Sequence, residues 1–170
     1  MPRIHPLDAP TGPLADEMRA RRRGTLATLD RILLHSPPIA EGWNVFFGAI
    51  RDRTTLGDDL RELAILRIAS LNGDWHNWNW HVQFGHEAGL DDVEIDDVKR
   101  WRESDRFSDA RRAVLAYAEA MTLEITVADE IFQAVRAHLD DRELVELTAT
   151  IAAYNCVSRF LVAMQIDREL

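Results

Sequence analysis

The chain has 170 residues, of which 46% are hydrophobic, and its formal net charge is −9 at pH 7. This length suits one domain, or one domain with an N-terminal extension, and the apolar content is enough for a buried core. The negative charge excludes a general nucleic-acid binder, because such proteins need a basic face to neutralise phosphates.

The N-terminal part of the chain predicts an arm and two helices. The proline-rich residues 1–12 predict an extended arm ahead of a single helical domain over 13–170. Apolar residues at helical spacing predict a first helix over 13–35, which Gly24 weakens in its middle. A Ser-Pro-Pro sequence ends that helix, and residues 39–50 predict the next one.

Two further helices on either side of residue 73 form the centre of the chain. Residues 60–71 carry a broad apolar face at helical spacing, and Gly73 ends this helix because glycine tolerates the left-handed conformation. Asp74 is well placed to cap a second helix, since its carboxylate can accept from the free backbone N–H groups of the first turn. That second helix ends at Gly89 and carries a cluster of tryptophans and histidines, namely Trp75, Trp78, Trp80, His76, His81 and His86.

Four more helix starts follow, each marked by a side chain that can cap a helix. They are Asp91 with Glu94, Ser108 or Asp109, Thr126 with Asp129, and Asp140 with Glu143. The last of them opens a long apolar helix over 144–166. The sequence therefore predicts an all-α fold of about eight helices, with a long C-terminal helix and no strand.

The chain carries few signals of location. No apolar signal region follows Met1, and no uninterrupted apolar run approaches the roughly 18 residues of a membrane span. The single cysteine, Cys156, excludes an intramolecular disulfide and any redox centre built from two thiols of one chain. We therefore expect a cytoplasmic protein that acts on a small molecule and has neither membrane nor nucleic acid as a partner.

The junction of the two central helices gathers groups that can transfer protons. Asp74, Asn77 and His81 lie on one stripe of the second helix. Glu62, on the preceding helix, would face the same space if the two helices pack antiparallel. A Glu–His pair in a partly apolar pocket is a workable acid–base device, and the tryptophans would form a flat wall for an unsaturated or ring-shaped substrate.

Each of these residues also has a structural explanation. Asp74 can be only the N-cap of its helix, and Glu62 can be a salt-bridge residue near a helix start, where acidic groups suit the dipole. His81 can be a core histidine with its hydrogen bonds satisfied. The tryptophans fit a core or a subunit interface, and His76 fits an exposed position. The functional interpretation therefore rests on the cluster as a whole.

A metal site is a weaker interpretation of the same residues. His76 and His81 are five residues apart in the chain, which does not match the spacing of the His-Glu-x-x-His zinc motif. Asp74 or Glu62 could bind a divalent ion together with His81, but a third ligand is not evident. We expect neither a metal nor a cofactor.

Three segments carry a recognisable pattern: Arg-Glu-Leu-Ala-Ile-Leu-Arg at 61–67, Trp-Asn-Trp-His at 78–81, and Gly-Leu at 89–90. This pattern resembles the carboxymuconolactone decarboxylase family, including its AhpD-like alkylhydroperoxidase branch. The similarity covers roughly residues 38–165. The resemblance implies an all-helical, AhpD-like bundle and assembly of the subunits into trimers or hexamers.

The AhpD branch uses a Glu, a Cys-x-x-Cys pair and two histidines. The Glu matches Glu62, and the histidines match His76 and His81. The two thiol positions fall on Asp74 and Asn77. Peroxide reduction by this route needs one thiolate that attacks and a second thiol that resolves, and neither Asp nor Asn can do this. The family name therefore implies a peroxiredoxin activity that the residues contradict.

The decarboxylase branch acts on an acidic lactone without a cofactor and is similar to this thiol-free pattern. The resemblance implies that His81 donates or accepts a proton and that Glu62 orients it or shares the proton. Arg159, four residues after Asn155 on one face of the last helix, could clamp a substrate carboxylate or form a structural ion pair. Cys156 lies in the same apolar helix, and we expect it to be core packing.

These inferences give three hypotheses. The leading one is a cofactor-independent lyase or isomerase, similar to 4-carboxymuconolactone decarboxylase, for a small acidic molecule that is cyclic or conjugated. The second is a non-catalytic oligomeric scaffold, and the third is an AhpD-like thiol relay through Cys156. The leading hypothesis assigns catalysis to His81, Glu62 and Asp74, and substrate binding to Trp78, Asn77, His76 and Arg159.

Overall fold

The computed structural model describes residues 1–22 and 24–166, and every regular element in these residues is helical. The described part of the chain contains α1 (Pro13–Arg21), α2 (Thr28–Leu33), α3 (Pro37–Asp52), α4 (Asp58–Asn72), α5 (Trp75–Glu87), α6 (Asp92–Asp97), a 3-10 helix (Val98–Glu103), α7 (Asp109–Leu123), α8 (Asp129–Arg136) and α9 (Asp141–Met164). The prediction of an all-α fold with a long C-terminal helix is confirmed.

Packing divides the chain into two compact units. One unit comprises the described residues of Met1–Arg53 and Leu161–Leu170, and the other comprises Thr54–Phe160. The predicted arm over 1–12 falls in the first unit, and the predicted site falls entirely in the second. The boundary drawn at residue 12 stays a prediction.

The single helix predicted over 13–35 is wrong, because the chain forms two helices there. The first ends at Arg21, and the second begins at Thr28. Between them Gly24 has φ 108°, a conformation that residues with a Cβ rarely adopt and that cannot continue a right-handed helix. Asp30 then fixes the start of α2, since its carboxylate accepts from the backbone N–H of Ala27 at 3.0 Å.

The predicted helix ends are mostly confirmed. Gly73 ends α4 in the left-handed conformation with φ 64°, and its N–H donates to the carbonyl of Ser70. Capping boxes form between Asp91 and Glu94 at α6 and between Asp140 and Glu143 at α9. Ser108 caps α7. The exception is α8, whose N-cap is Ala128 rather than Thr126.

Helix α4 is the central element of the second unit. Every residue from 62 to 69 is buried, and the helix packs against α5 and α7. The core cluster around it consists of Leu63, Leu66, Ala69, Trp78, Leu90, Ile95, Val98, Trp101, Phe107 and Leu115. Side chains that α4 and α5 turn towards each other are therefore held by close packing on several sides.

The C-terminal helix α9 is long and apolar. By length and composition alone it could cross a membrane, but half of its most apolar 18-residue window is buried inside the protein. A core helix of a globular protein has the same properties, so this helix is weak evidence for a membrane span.

A buried ion-pair network joins α4, α7 and the 3-10 helix. Arg67 donates to the carbonyl oxygens of Val98 and Lys99, both at 3.1 Å, and to Glu119 Oε2 at 2.5 Å. Glu119 also accepts from Arg102 at 2.6 Å and from the indole N–H of Trp101 at 3.0 Å. Burial raises the pKa of Glu119, but hydrogen bonds from Trp101, Arg102 and Arg67 lower it. The net result is a pKa below the ordinary value of a glutamate.

We expect Glu119→Gln to lower the free energy of unfolding by about 2 kcal/mol at pH 7, because a buried guanidinium loses its anionic partner. A depressed carboxyl pKa contributes stability above its unfolded-state value, and this contribution is lost as the pH falls through the folded-state value. The difference between the wild type and Glu119→Gln should therefore shrink on acidification. Urea denaturation at several pH values measures this difference in the free energy of unfolding, with the exposed Glu41→Gln as control. A difference that grows in acid would contradict this account.

Candidate functional site

An acid and an imidazole meet between α4 and α5. His81 Nδ1 lies 2.7 Å from Glu62 Oε2, although the two residues are 19 positions apart in the chain. Glu62 is 3% exposed and His81 is 5% exposed. The turn at Gly73 lets α5 pack against α4. Glu62 in the second turn of α4 then meets His81 in the second turn of α5. The structure thus brings together two of the three residues predicted to be catalytic.

Three further side chains surround this pair. Arg61 Nε donates to Glu62 Oε1 at 3.3 Å, so both oxygens of the carboxylate are engaged. The ring of Tyr154, from α9, meets the His81 ring edge-on, with centroids 5.0 Å apart and planes at 87°. Phe84 lies 5.6 Å from the same ring. The imidazole is therefore bounded by one carboxylate and two aromatic rings, an environment in which hydrogen bonds are stronger than in water.

Asp74, the third predicted catalytic residue, binds Asn77 instead. Asp74 is fully buried, and its Oδ1 accepts from the backbone N–H of Asn77 at 3.0 Å. Its Oδ2 accepts from the Asn77 side-chain amide at 2.6 Å. Asp74 is thus the N-cap of α5, as its position in the sequence allowed. Its contribution to proton transfer stays a prediction.

The aromatic residues of α5 divide between the core and the surface. Trp78 is buried in the core cluster, and the Lys99 ammonium lies 4.5 Å from the centre of its ring. Trp75 and Trp80 are exposed, and His76 is half-buried. Trp78 therefore offers little surface for a substrate wall, because it is only 6% exposed and Lys99 lies over its ring.

Arg159 is held by a neutral residue. Its guanidinium donates from Nη1 to the Asn155 side-chain oxygen at 2.9 Å and to the Asn155 backbone carbonyl at 3.1 Å. Asn155 also accepts from Asn72 at 3.2 Å and donates to Thr122 at 2.9 Å. Arg159 is exposed, and within residues 1–22 and 24–166 it forms no ion pair with a carboxylate. The structural ion pair considered for Arg159 is therefore not formed there.

The expectation that Cys156 packs in the core is wrong, because the residue is exposed. Asn155 and Val157 on either side of it are buried, so Cys156 lies on the outward face of α9. An apolar helix that is covered on one side only still has a solvent-facing stripe. Among the described residues, no three His, Cys, Asp or Glu side chains come together in an arrangement that could hold a metal ion.

Arg61 and Tyr154 were not assigned to the site from the sequence. Neighbouring residues on a helix project about 100° apart, so the spacing gave no reason to expect Arg61 to bind Glu62. Tyr154 lies 73 positions after His81, and only the packing of α9 brings the two rings together. Arg61 lies in one of the segments that resemble the family, and Tyr154 lies within the range of roughly 38–165 that the similarity covers; this was the one available signal.

Known proteins resemble this chain in sequence and in fold. The family model described as carboxymuconolactone decarboxylase family matches residues 37–120, which include both Glu62 and His81. Residues 37–120 of the chain belong to the carboxymuconolactone decarboxylase family. Among its relatives is the uncharacterised protein YdfG of Bacillus subtilis, 28% identical over 114 residues, which are 66% of this chain and 78% of YdfG.

Solved structures share the fold of this chain. A protein of unknown function from Agrobacterium tumefaciens, described as a candidate antioxidant defence protein AhpD, superposes with a TM-score of 0.74 and is 27% identical. The match covers 79% of this chain and 92% of that protein. The debrominase Bmp8, solved with 2,3,4-tribromopyrrole, superposes with a TM-score of 0.81 and is 20% identical. The match covers 94% of this chain and 88% of the Bmp8 chain. That second likeness shows the fold alone.

The geometry at the start of α5 separates the structural role of Asp74 from any chemical one. We expect Asp74→Ala to lower the free energy of unfolding by about 1–2 kcal/mol, because the cap is lost and the Asn77 amide loses its acceptor. Asp74→Asn keeps an acceptor for the backbone N–H and should lose less. Thermal unfolding measures both, with the exposed Asp109→Ala, in the first turn of α7, as control. Full stability of Asp74→Ala would remove the capping assignment.

Proposed function

We propose that this member of the carboxymuconolactone decarboxylase family is a cofactor-independent acid–base enzyme of the lyase or isomerase class. Its substrate would be a small acidic molecule that is cyclic or conjugated. The observation that carries the proposal is the 2.7 Å hydrogen bond between His81 Nδ1 and Glu62 Oε2 in a buried position. Such a pair is a general acid–base unit, since the carboxylate orients the imidazole and stabilises its charged form.

In the proposed mechanism the two ring nitrogens of His81 have different tasks. The Nδ1–H group donates to Glu62, which fixes the tautomer in which Nε2 carries a lone pair. Nε2 then takes a proton from a carbon next to a carbonyl group and returns it at the conjugated position, which is an isomerisation. In a decarboxylation Nε2 first takes a proton from solvent. The carboxylate then leaves as CO2, its electron pair remains as an enolate, and the protonated imidazole gives its proton to carbon.

The acidic character of the substrate has support in the guanidinium of Arg159, which lies in α9, the helix that also carries Tyr154. The guanidinium is exposed and is oriented by Asn155 rather than neutralised by it. A carboxylate can bind a guanidinium through two hydrogen bonds, so Arg159 is proposed to bind the acidic group of a substrate whose reacting carbon lies at His81.

We expect His81→Ala to lower turnover by about 100-fold or more while the fold is kept, because general acid–base catalysis by one group contributes that much. Activity would be found by incubating the protein in D2O with small unsaturated carboxylic acids and lactones. Deuterium incorporation by proton NMR and loss of ultraviolet absorbance then report proton transfer and decarboxylation directly.

Two control variants belong with this experiment. His138→Ala removes an exposed imidazole that is not assigned to the site and should keep most of the activity. Cys156→Ser removes the single thiol of the chain and should leave turnover unchanged, since the proposed route uses no sulfur. Undiminished turnover of His81→Ala would refute the assignment, and loss of a peroxide-dependent activity in Cys156→Ser would favour a thiol relay instead.

A non-catalytic scaffold is the second candidate, and the burial of the pair favours it. With Glu62 3% exposed and His81 5% exposed, the two side chains satisfy each other with little access from solvent. An enzyme and a scaffold differ in whether a small molecule can reach Nε2 of His81.

Chemical modification of His81 distinguishes the two candidates. We expect diethyl pyrocarbonate to modify His81, at a rate lower than that of the exposed His86, because a substrate of similar size must reach the same nitrogen. Peptide mass mapping reports each histidine separately. Complete protection of His81 in the folded protein, with normal modification after unfolding, would support the scaffold and contradict the enzyme.

The assembly and location of the protein are also proposals. The resemblance to the family supports a homo-oligomer, a trimer or a hexamer, and location in the cytoplasm stays a proposal. Light scattering after size-exclusion chromatography tests the number of subunits.

A further inference from the structure

Arg61 links the surface of α4 to the buried acid of the pair. Its Nη1 donates to Asp58 Oδ1 at 2.7 Å, and its Nε donates to Glu62 Oε1 at 3.3 Å. The side chain of Arg61 is only 12% exposed, whereas that of Asp58 is 71% exposed. The guanidinium therefore folds back along its own helix and lies between an outer and an inner carboxylate.

We propose that Arg61 is a positioning residue for the Glu62–His81 pair. The proposal rests on the proposed function where it concerns turnover, but its structural part stands on the contacts alone. A carboxylate has two oxygens, and its end torsion has broad wells, so a single hydrogen bond leaves it free to rotate. Arg61 holds Oε1, and this fixes Oε2 toward Nδ1 of His81.

The arrangement of the contacts explains why the anchor is a guanidinium. Arginine presents several N–H groups in a rigid planar fork, so it can bind Asp58 with one nitrogen and Glu62 with another. Asp58 lies in the first turn of α4, one turn before Glu62. Arg61 is thus oriented by Asp58, and it in turn orients Glu62, the residue that binds the imidazole.

The expected consequence of losing Arg61 concerns the tautomer of His81. Without the second hydrogen bond, the Glu62 carboxylate samples more than one orientation, and the Nδ1–H group of His81 loses its fixed acceptor. Residues that orient a functional histidine typically change activity by about 10–100-fold when they are removed. We therefore expect Arg61→Gln to lower kcat by about 10-fold and to leave KM close to its wild-type value.

The test uses the whole protein labelled with 15N-histidine, studied by long-range proton–nitrogen NMR at alkaline pH, where imidazoles are neutral. The signals of His81 are assigned by their absence from His81→Ala. The wild type should show the Nδ1–H tautomer with a slowly exchanging ring proton. Arg61→Gln should show a mixture of tautomers and a broadened proton signal. Arg61→Lys keeps the charge but has a single nitrogen, so it should recover only part of the wild-type pattern.

A matched control is Arg106→Gln, which removes an ion pair with Asp91 elsewhere in the same unit and should leave the His81 signals unchanged. Asp58→Asn weakens the anchor without touching Arg61, so it should shift the His81 tautomer in the same direction by less. This variant decides the matter if Arg61→Gln does not fold. A wild-type His81 tautomer in folded Arg61→Gln, or in Asp58→Asn where Arg61→Gln does not fold, would overturn the proposal.

These measurements need no substrate, so they fail independently of the proposed function. Unchanged turnover in His81→Ala would refute the enzyme but would leave the tautomer of His81, and its dependence on Arg61, as measured. Conversely, an unaltered tautomer in the Arg61 variants would remove the positioning role while the acid–base chemistry of His81 remained intact.

Discussion

The hydrogen bond between Glu62 and His81 is the interaction on which the site depends. It joins two helices across the left-handed turn at Gly73, and it is formed where water has little access. In such surroundings a polar group without its partner costs more than the bond itself contributes in net stability. Each residue can therefore be buried only because the other supplies its hydrogen bond. The packing of α5 against α4 depends on this pair.

The start of α5 explains how the site differs from a thiol centre. A helix N-terminus lowers the pKa of a cysteine placed there, which is one way that proteins activate a thiolate. In this chain the same position holds Asp74, whose two carboxylate oxygens accept hydrogen bonds from the backbone and side-chain N–H groups of Asn77. The positive end of the helix is thus satisfied internally, and the group left with acid–base chemistry is His81, two turns further along.

The local features of the fold could be predicted from sequence, and the long-range ones only in part. Caps and turns depend on a few neighbouring residues, so Gly73, Asp74 and the capping boxes were predictable. Gly24 was recognised as unfavourable in a helix, but helix propensity alone could not predict that the helix ends before it. The pairing of Glu62 with His81 was predicted on the condition that the two helices pack antiparallel across their short turn. The contact of Tyr154 and the exposure of Cys156 depend on how α9 packs, which no local pattern contains.

The energetics of the pair favour a chemical role over a purely structural one. A buried ionisable pair is rarely more stabilising than well-packed apolar side chains of the same volume, since removing both groups from water costs more than their attraction returns. Position 62 lies in a helix segment whose other buried residues are nearly all apolar, so a leucine there would suit the core. Stability therefore does not account for the acid, the imidazole and the arginine that holds them. The proposed proton transfer at a fixed position would account for them, because it requires groups that a core otherwise excludes.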